Sequence, residues 1–364
     1  MRIGILTFHC AHNYGAVLQC YATQEFLRSN GYIVEVIDYR PEYLLNPYKL
    51  FNTKHLFDIN PIRTIKNIIK YILTFRLKYR RWKGFNKFIY NYLNLSNRVY
   101  KRKIPSNYDI YIIGSDQIWN PQITNGFDPV FFGDFSFSKD SKRYIAYAAS
   151  MESKNLNTEE KNFYKNSLRH FDSISVREID LHKLLEPLIE NNIKHVLDPT
   201  LMVSPNLWNH FKSYNPNHKK YVVVYQVMTN KNTLRIANNI AKQIGAEVRI
   251  LTAWLQIKTK NTFQDATPED FVNTIRNAAC IITTSFHGTA FSVIFNRPFY
   301  TIMLNEGTDS RSTSLLKSLG LNDRLINMND SPTFSTIDYT EPNKRLEILR
   351  KESQDFLLKA LGDK

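Results

Sequence analysis

The stretch Arg2-Ile3-Gly4-Ile5-Leu6-Thr7-Phe8-His9-Cys10-Ala11-His12-Asn13-Tyr14-Gly15, continued to Asp38, decides the fold. An apolar run at 2–7 gives way to a polar loop at 9–15, then to a helical pattern through Leu27 that Asn30-Gly31 stops. A second apolar run, 32–37, closes on Asp38. Strand, loop, helix, glycine stop and strand make a βαβ unit, whose strands lie parallel in one sheet. The same alternation recurs downstream. Residues 109–113, 144–148, 173–176 and 195–197 read as strands, a helix starts near Thr158, and 205–218, polar with two prolines, is the linker candidate. Beyond it, 221–226, 247–251, 279–283 and 299–302 read as strands. Helices are expected over 232–244, from Thr267-Pro268-Glu269-Asp270, after the loop 284–289, and from Asn343 onward. At 364 residues the chain exceeds the ~100–200 usual for one domain. The pattern predicts an α/β protein of two Rossmann-like doubly wound parallel-sheet domains, 1–204 and 219–364, facing across a cleft.

Composition narrows the function classes. Hydrophobic residues make up 43% and aromatics 13%, enough for sizeable cores and incompatible with a disordered chain. No apolar run approaches the ~20 residues that span a bilayer, and no signal peptide is read at the N-terminus. Three scattered cysteines, Cys10, Cys20 and Cys280, build neither a disulfide framework nor a zinc knuckle, so a cytoplasmic protein is expected. The net charge of +15 belongs to one segment: residues 59–108 hold no Asp or Glu and thirteen of the 48 basic residues, leaving 35 against 33 acidic ones elsewhere. Ile62, Ile65, Ile69 and Ile72 recur there at helical spacing, with Trp82, Phe85, Phe88 and Tyr92 following. This reads as an amphipathic cationic helix pair. It either rests on an anionic membrane surface, as a peripheral protein of the inner face would, or is a helical excursion with its isoleucines in the core and its cations in solvent. No nucleic-acid module accompanies the patch, so nucleic acid is not expected as a partner.

No phosphate loop, dinucleotide fingerprint, nucleophile elbow or metal-ligand spacing is present, so neither a cofactor nor a metal is expected. The polar clusters instead fall at predicted strand ends: 9–15, 114–121, 177–178 and 284–289. His287 precedes Gly288 at the start of a helix whose free N–H groups suit an anion, and is either a general acid or base or the cap of its own helix. Arg177 follows a strand and either clamps a carboxylate or phosphate or pairs with an Asp such as Asp198. Arg311 and Arg324 flank the last βα unit and face either the cleft or solvent. Asp116, beside Gln117, Trp119 and Asn120, offers a carboxylate, amides and a ring face to a sugar, or folds on its own Asx turns. His9, His12 and Asn13 precede the first helix, where a ligand phosphate can be met.

The blocks Thr7-Phe8-His9 with Asn13-Tyr14-Gly15-Ala16-Val17-Leu18-Gln19, Gly114-Ser115-Asp116-Gln117-Ile118-Trp119-Asn120, Ser175-Val176-Arg177-Glu178, Asp198-Pro199-Thr200, and Thr284-Ser285-Phe286-His287-Gly288-Thr289 with Asn296-Arg297-Pro298 stand in this order over residues 3–325. Together they resemble the polysaccharide pyruvyl transferase family. The resemblance implies a GT-B-like fold, phosphoenolpyruvate as donor substrate and no cofactor. It also implies that a sugar of a cell-surface or capsular glycan, on a lipid carrier, accepts a pyruvate ketal. On this reading Arg177, Ser285, His287, Gly288, Thr289 and Arg311 hold the donor, and His9, Asn13, Tyr14, Gln117, Trp119 and Asn120 hold the acceptor. His287, Asp116 and Arg177 carry the chemistry. Many members of the family have Arg-x-His-Gly where this chain has Ser285-Phe286-His287-Gly288, so the resemblance leaves Arg311 to replace that arginine. They also have Asn-x-Gly-Asp where this chain has Asn13-Tyr14-Gly15-Ala16. The rival expectation is a nucleotide-sugar glycosyltransferase of the same architecture, with Glu306 on the ribose. A third is a non-enzymatic scaffold at the membrane surface.

Overall fold

In the computed structural model the opening residues form β1 (Arg2–Leu6), α1 (Tyr14–Ser29) and β2 (Ile33–Val36). Asn13 caps α1, its side chain accepting from the Gly15 N–H at 2.9 Å, and β1 runs parallel to β2. The structure describes all residues except 52–56, 58–59, 138, 140, 152–155, 191, 212–218, 227–230, 253–260, 305–308 and 363–364. Glu306 therefore lies outside the described residues. After β2 come α2 (Glu42–Leu45) and α3 (Pro61–Tyr92), then β3 (Ile110–Ile113), β4 (Arg143–Ala149), α4 (Thr158–Leu168), β5 (Ser173–Val176), α5 (Ile179–Leu185), β6 (Ile193–His195) and α6 (Pro199–Met202). The six strands form one parallel sheet in the order β2-β1-β3-β4-β5-β6.

The second half repeats the plan with β7 (Tyr221–Gln226), α7 (Lys231–Ile244), β8 (Glu247–Thr252), β9 (Thr262–Phe263), α8 (Pro268–Arg276), β10 (Cys280–Thr283) and α9 (Phe286–Ile294). It ends with β11 (Phe299–Met303), α10 (Ser310–Leu319), β12 (Leu325–Asn327) and α11 (Thr340–Leu361). Its sheet is also parallel, in the order β12-β11-β10-β7-β8-β9. β3, β7 and β10 are buried along their whole length, as strands covered on both faces must be. The chain thus has the doubly wound α/β architecture expected of its sequence.

One apolar cluster runs through both halves: Ile3, Ile5 and Val34 of the first sheet share it with Val223 and Ile281 of the second. Trp208 joins that cluster from a short 3-10 turn, Pro205–His210, in the stretch read as a linker; residues 212–218 of that stretch are not described. α11 returns to the first half, where Ser353 accepts from the Leu197 N–H at 2.9 Å and Arg350 Nε donates to the Leu201 carbonyl at 3.0 Å.

The basic segment differs from its sequence expectation. α3 is a single helix of 32 residues, not a helix pair. Gly84, the residue best able to break it, instead lets it approach another element: a Cβ there would sit 2.7 Å from Thr267 Cγ2 at the start of α8. Nor do the isoleucines enter the core, since Ile62, Ile65, Ile69 and Ile72 are all exposed. Only Thr74, Arg81, Phe85, Phe88 and Ile89 of α3 are buried.

Candidate active site

Sheet order places the site. In the first sheet β2 and β3 lie on opposite sides of β1, and in the second β8 and β10 lie on opposite sides of β7. Connections that leave on opposite faces open a crevice at the strands' carboxyl ends. The loops after β1, β3 and β10 line a cavity of about 350 Å3, whose walls include Asn13, Tyr48, Asp116, Gln117, His287 and Arg311. Gln19 ties two of these loops together, donating to Thr7 Oγ1 at 2.8 Å and accepting from the Ser115 N–H at 3.2 Å. Asp116 sits beyond Gly114 in a left-handed conformation (φ 75°), with its carboxylate accepting from the Gln117 N–H at 2.9 Å.

Beneath Asp116 lies a buried ionic network. Arg177 Nη1 donates to Asp198 Oδ2 at 2.5 Å, Nε to Glu178 Oε1 at 3.3 Å and Nη2 to Ser150 Oγ at 2.9 Å, while Asp116 Oδ1 stands 3.9 Å from Nη2. The Phe286 ring lies 4.8 Å from the guanidinium. Burial works against the charge on Arg177, but Asp198, Glu178 and Asp116 more than offset it and raise its pKa. Burial likewise raises the Glu178 carboxyl above its ordinary value. Burial would also raise Asp198, yet His287, Arg177 and Thr200 beside it hold it well below the usual carboxylate range. Asp198 is anchored as the N-cap of α6, accepting from the Thr200 N–H at 2.9 Å and its hydroxyl at 2.7 Å.

His287 comes from the other half and meets this network. Its Nε2 stands 3.6 Å from Asp198 Oδ2, beyond hydrogen-bond reach, and has no hydrogen-bond partner among the described residues. The imidazole is wedged against the first turn of α1: a Cβ on Gly15 would lie 2.0 Å from His287 Nδ1. Two more polar atoms from residues on the cavity wall, Gln117 Nε2 and Thr284 Oγ1, are buried without a hydrogen-bond partner among the described residues. Such orphaned groups are costly unless a ligand satisfies them. Backbone N–H groups at the N-terminus of α9 and the Arg311 side chain supply the positive potential at this end of the cavity.

Of the residues singled out in the sequence, the structure brings Asn13, Asp116, Gln117, Ser285, His287 and Arg311 to the cavity wall. Others are placed elsewhere. Trp119 is fully buried, its indole donating to the Phe131 carbonyl at 3.0 Å and stacking on Phe132, so its ring offers no face to a sugar. Asn120 is spent on its own turn, accepting from the Gln122 N–H at 3.0 Å. His9 is buried between the Thr7 carbonyl and Asp38, the latter at 2.8 Å. Tyr14 donates to the Ala266 carbonyl, accepts from Arg81 and stacks on Phe271, joining the halves rather than facing the cavity. Thr289 lies beneath the cavity, 2.7 Å from Thr301 Oγ1, and Gly288 gives close approach to Thr283, 2.2 Å from where a Cβ would be. Arg177 pairs with Asp198, the second of its two sequence readings, and is closed within the network, which corrects its reading as an anion clamp. Arg324 is tied to Ser335, away from the cleft. His12 is stacked on Phe85 and held neutral, its pKa pushed down to about 3 by burial and by Arg81 and Arg40. Among the described residues no group of three His, Cys, Asp and Glu side chains is arranged to hold a metal. The sequence reading missed Tyr48 and the pairing of Asp198 with His287. The signal for the second was an Asp-Pro-Thr cap at a strand end.

A family model described as polysaccharide pyruvyl transferase matches residues 13–305. None of the curated proteins compared matches the chain. Among solved structures, the UDP-GlcNAc 2-epimerase of Neisseria meningitidis bound to UDP-GlcNAc is similar with a TM-score of 0.48 at 11% identity over 99% of each chain. The UDP-GlcNAc 2-epimerase of Methanocaldococcus jannaschii is similar with a TM-score of 0.46 at 12% identity, again over 99% of each chain.

Proposed function

Because the chain belongs to the polysaccharide pyruvyl transferase family, we propose that its cavity binds phosphoenolpyruvate and passes the pyruvyl group to two hydroxyls of a sugar in a cell-surface polysaccharide precursor, forming a pyruvate ketal. The acceptor is carried on a lipid at the cytoplasmic face of the membrane. One observation carries the reading: His287 lines the cavity at the start of α9 while its Nε2 faces the ionised Asp198 across the cleft.

The donor's carboxylate and phosphate call for cationic and hydrogen-bond-donating groups, which Arg311, the Thr284 hydroxyl and the N–H groups in the first turn of α9 supply. Ketal formation needs a proton delivered to C3 of the enol, addition of one sugar oxygen to C2, and displacement of phosphate from C2 by the second. Each sugar hydroxyl gives up its proton; one replaces the proton delivered to C3 and the other leaves with phosphate. His287 moves these protons, with the Asp198 carboxylate facing its ring at 3.6 Å. Asp116 takes a hydroxyl proton on the acceptor side, with Gln117 and Asn13 beside it. Arg177 is a positioning residue, holding Asp198 and Asp116 in place from below.

Pyruvate incorporation and phosphate release from phosphoenolpyruvate test this. His287→Ala should cut turnover by about 10²–10⁴-fold, and Arg311→Ala should chiefly raise the donor KM. Near-normal turnover of His287→Ala would end the assignment. Stabilisation in thermal melts by a nucleotide sugar, and not by phosphoenolpyruvate, would move it to glycosyl transfer.

A further inference from the structure

The outward face of α3 is a feature the proposed chemistry does not use. Ile62, Ile65, Ile69, Ile72 and Leu73 are 50–66% exposed and, at spacings of three, four and seven, lie along one side of the helix. That side continues into Arg76, Arg80, Lys83 and Lys87, all exposed, with Arg80 held 3.2 Å from Asp265. The opposite side of the same helix is fastened to the body: Phe85, Phe88 and Ile89 are buried, and Arg81 donates to Tyr14 Oη at 2.9 Å and to the His12 carbonyl at 3.1 Å. The helix is therefore a rod of about 48 Å fixed along its second half, with an apolar end and a cationic end on its free side.

We infer that this face docks on an anionic lipid leaflet, the isoleucines entering the acyl boundary and the Arg and Lys row lying over the headgroups. Exposed apolar residues in one stripe mark a contact surface, and cations beside them are the pattern of a helix lying in a bilayer interface. Charge decides the occupant. Residues 59–108 contain thirteen basic and no acidic residues, so a second copy of the chain would bring like charge against like charge, whereas an anionic leaflet complements it. The inference does not depend on the donor. Arg81 touches Tyr14 and the His12 backbone, so docking also fixes the orientation of the cleft that α1 lines.

Flotation of the full chain with phosphatidylcholine vesicles, with and without phosphatidylglycerol, tests it. Binding should require the anionic lipid and weaken as salt shortens the screening length. Arg76→Gln with Lys83→Gln and Lys87→Gln should weaken it by about fivefold for each charge removed. Ile65→Ser with Ile69→Ser and Ile72→Ser should lower it as well, leaving only attachment that salt removes. All six residues are exposed, so unchanged thermal melts will confirm that both variants are folded. Equal binding to neutral and anionic vesicles, no binding to either, or unaltered binding of both variants would overturn the inference. A solution dimer that the isoleucine variant dissociates, without vesicle binding by the parent chain, would assign the face to a second copy instead.

Discussion

Gly15 and His287 belong to different halves and occupy one another's space. The imidazole lies where any larger residue's Cβ would be, 2.0 Å from Nδ1, so the absence of a side chain at Gly15 is what leaves room for the ring. Gly15→Ala should leave the helix intact, since alanine is the better helix former, yet push the ring aside. Displacing a catalytic group by about 1 Å costs of the order of 10²-fold in rate. Steady-state kinetics beside a thermal melt will show kcat falling while the melting temperature stays near that of the parent; parental kcat would refute the wedge. At this scale the sequence was legible only in part. His287 and Asp116 reach the cavity wall, since a polar residue at a strand end in a doubly wound sheet has few other places to go. Arg177 and Trp119 occupy equivalent positions along the chain, but one is closed among Asp198, Glu178 and Ser150 and the other is packed on Phe132. Whether a loop side chain turns toward the cleft or the core depends on partners 12 to 27 residues away, which no local pattern encodes.

Among the elements, α8 was readable in advance. Thr267 accepts from the Asp270 N–H at 3.1 Å while Asp270 accepts from the Thr267 N–H at 2.9 Å, and Pro268 follows the cap as the sequence required. The apolar component of α3 changes from isoleucine to aromatic near its middle, and the structure keeps one helix across that change and alters its surroundings instead. Isoleucine marks the free part, and Phe85 and Phe88 the part inserted against α1 and α8. Gly84 marks the crossing. Gly84→Ala should gain nothing in stability, because the added methyl meets Thr267 Cγ2. In a Thr267→Ser background, which keeps the capping hydroxyl and removes that methyl, the same change should gain about 0.5–1 kcal/mol. Melts of the four proteins check it, and an equal effect in both backgrounds refutes the close approach.

At the level of the whole molecule, two sheets do not make two independent folding units. Ile5, Trp208, Val223 and Phe291 belong to one apolar cluster, and α11 leaves the second half to bury Leu357 and Leu361 in that cluster and bond α6. Unfolding should therefore be a single transition, with calorimetric and van't Hoff enthalpies in agreement. Two resolved transitions would show that the shared cluster does not couple the halves. The doubling of the βα pattern was plain in the sequence. The return of α11 was not, since its alternation of leucine and charge fits a helix packed on either half. The split origin of His287 and Asp198 has a further consequence: the imidazole is carried by one lobe and the carboxylate by the other. Any excursion that parts the lobes separates the imidazole from Asp198 in the same movement that would admit bulk water, so this one contact acts as an interlock that registers whether the cleft is shut.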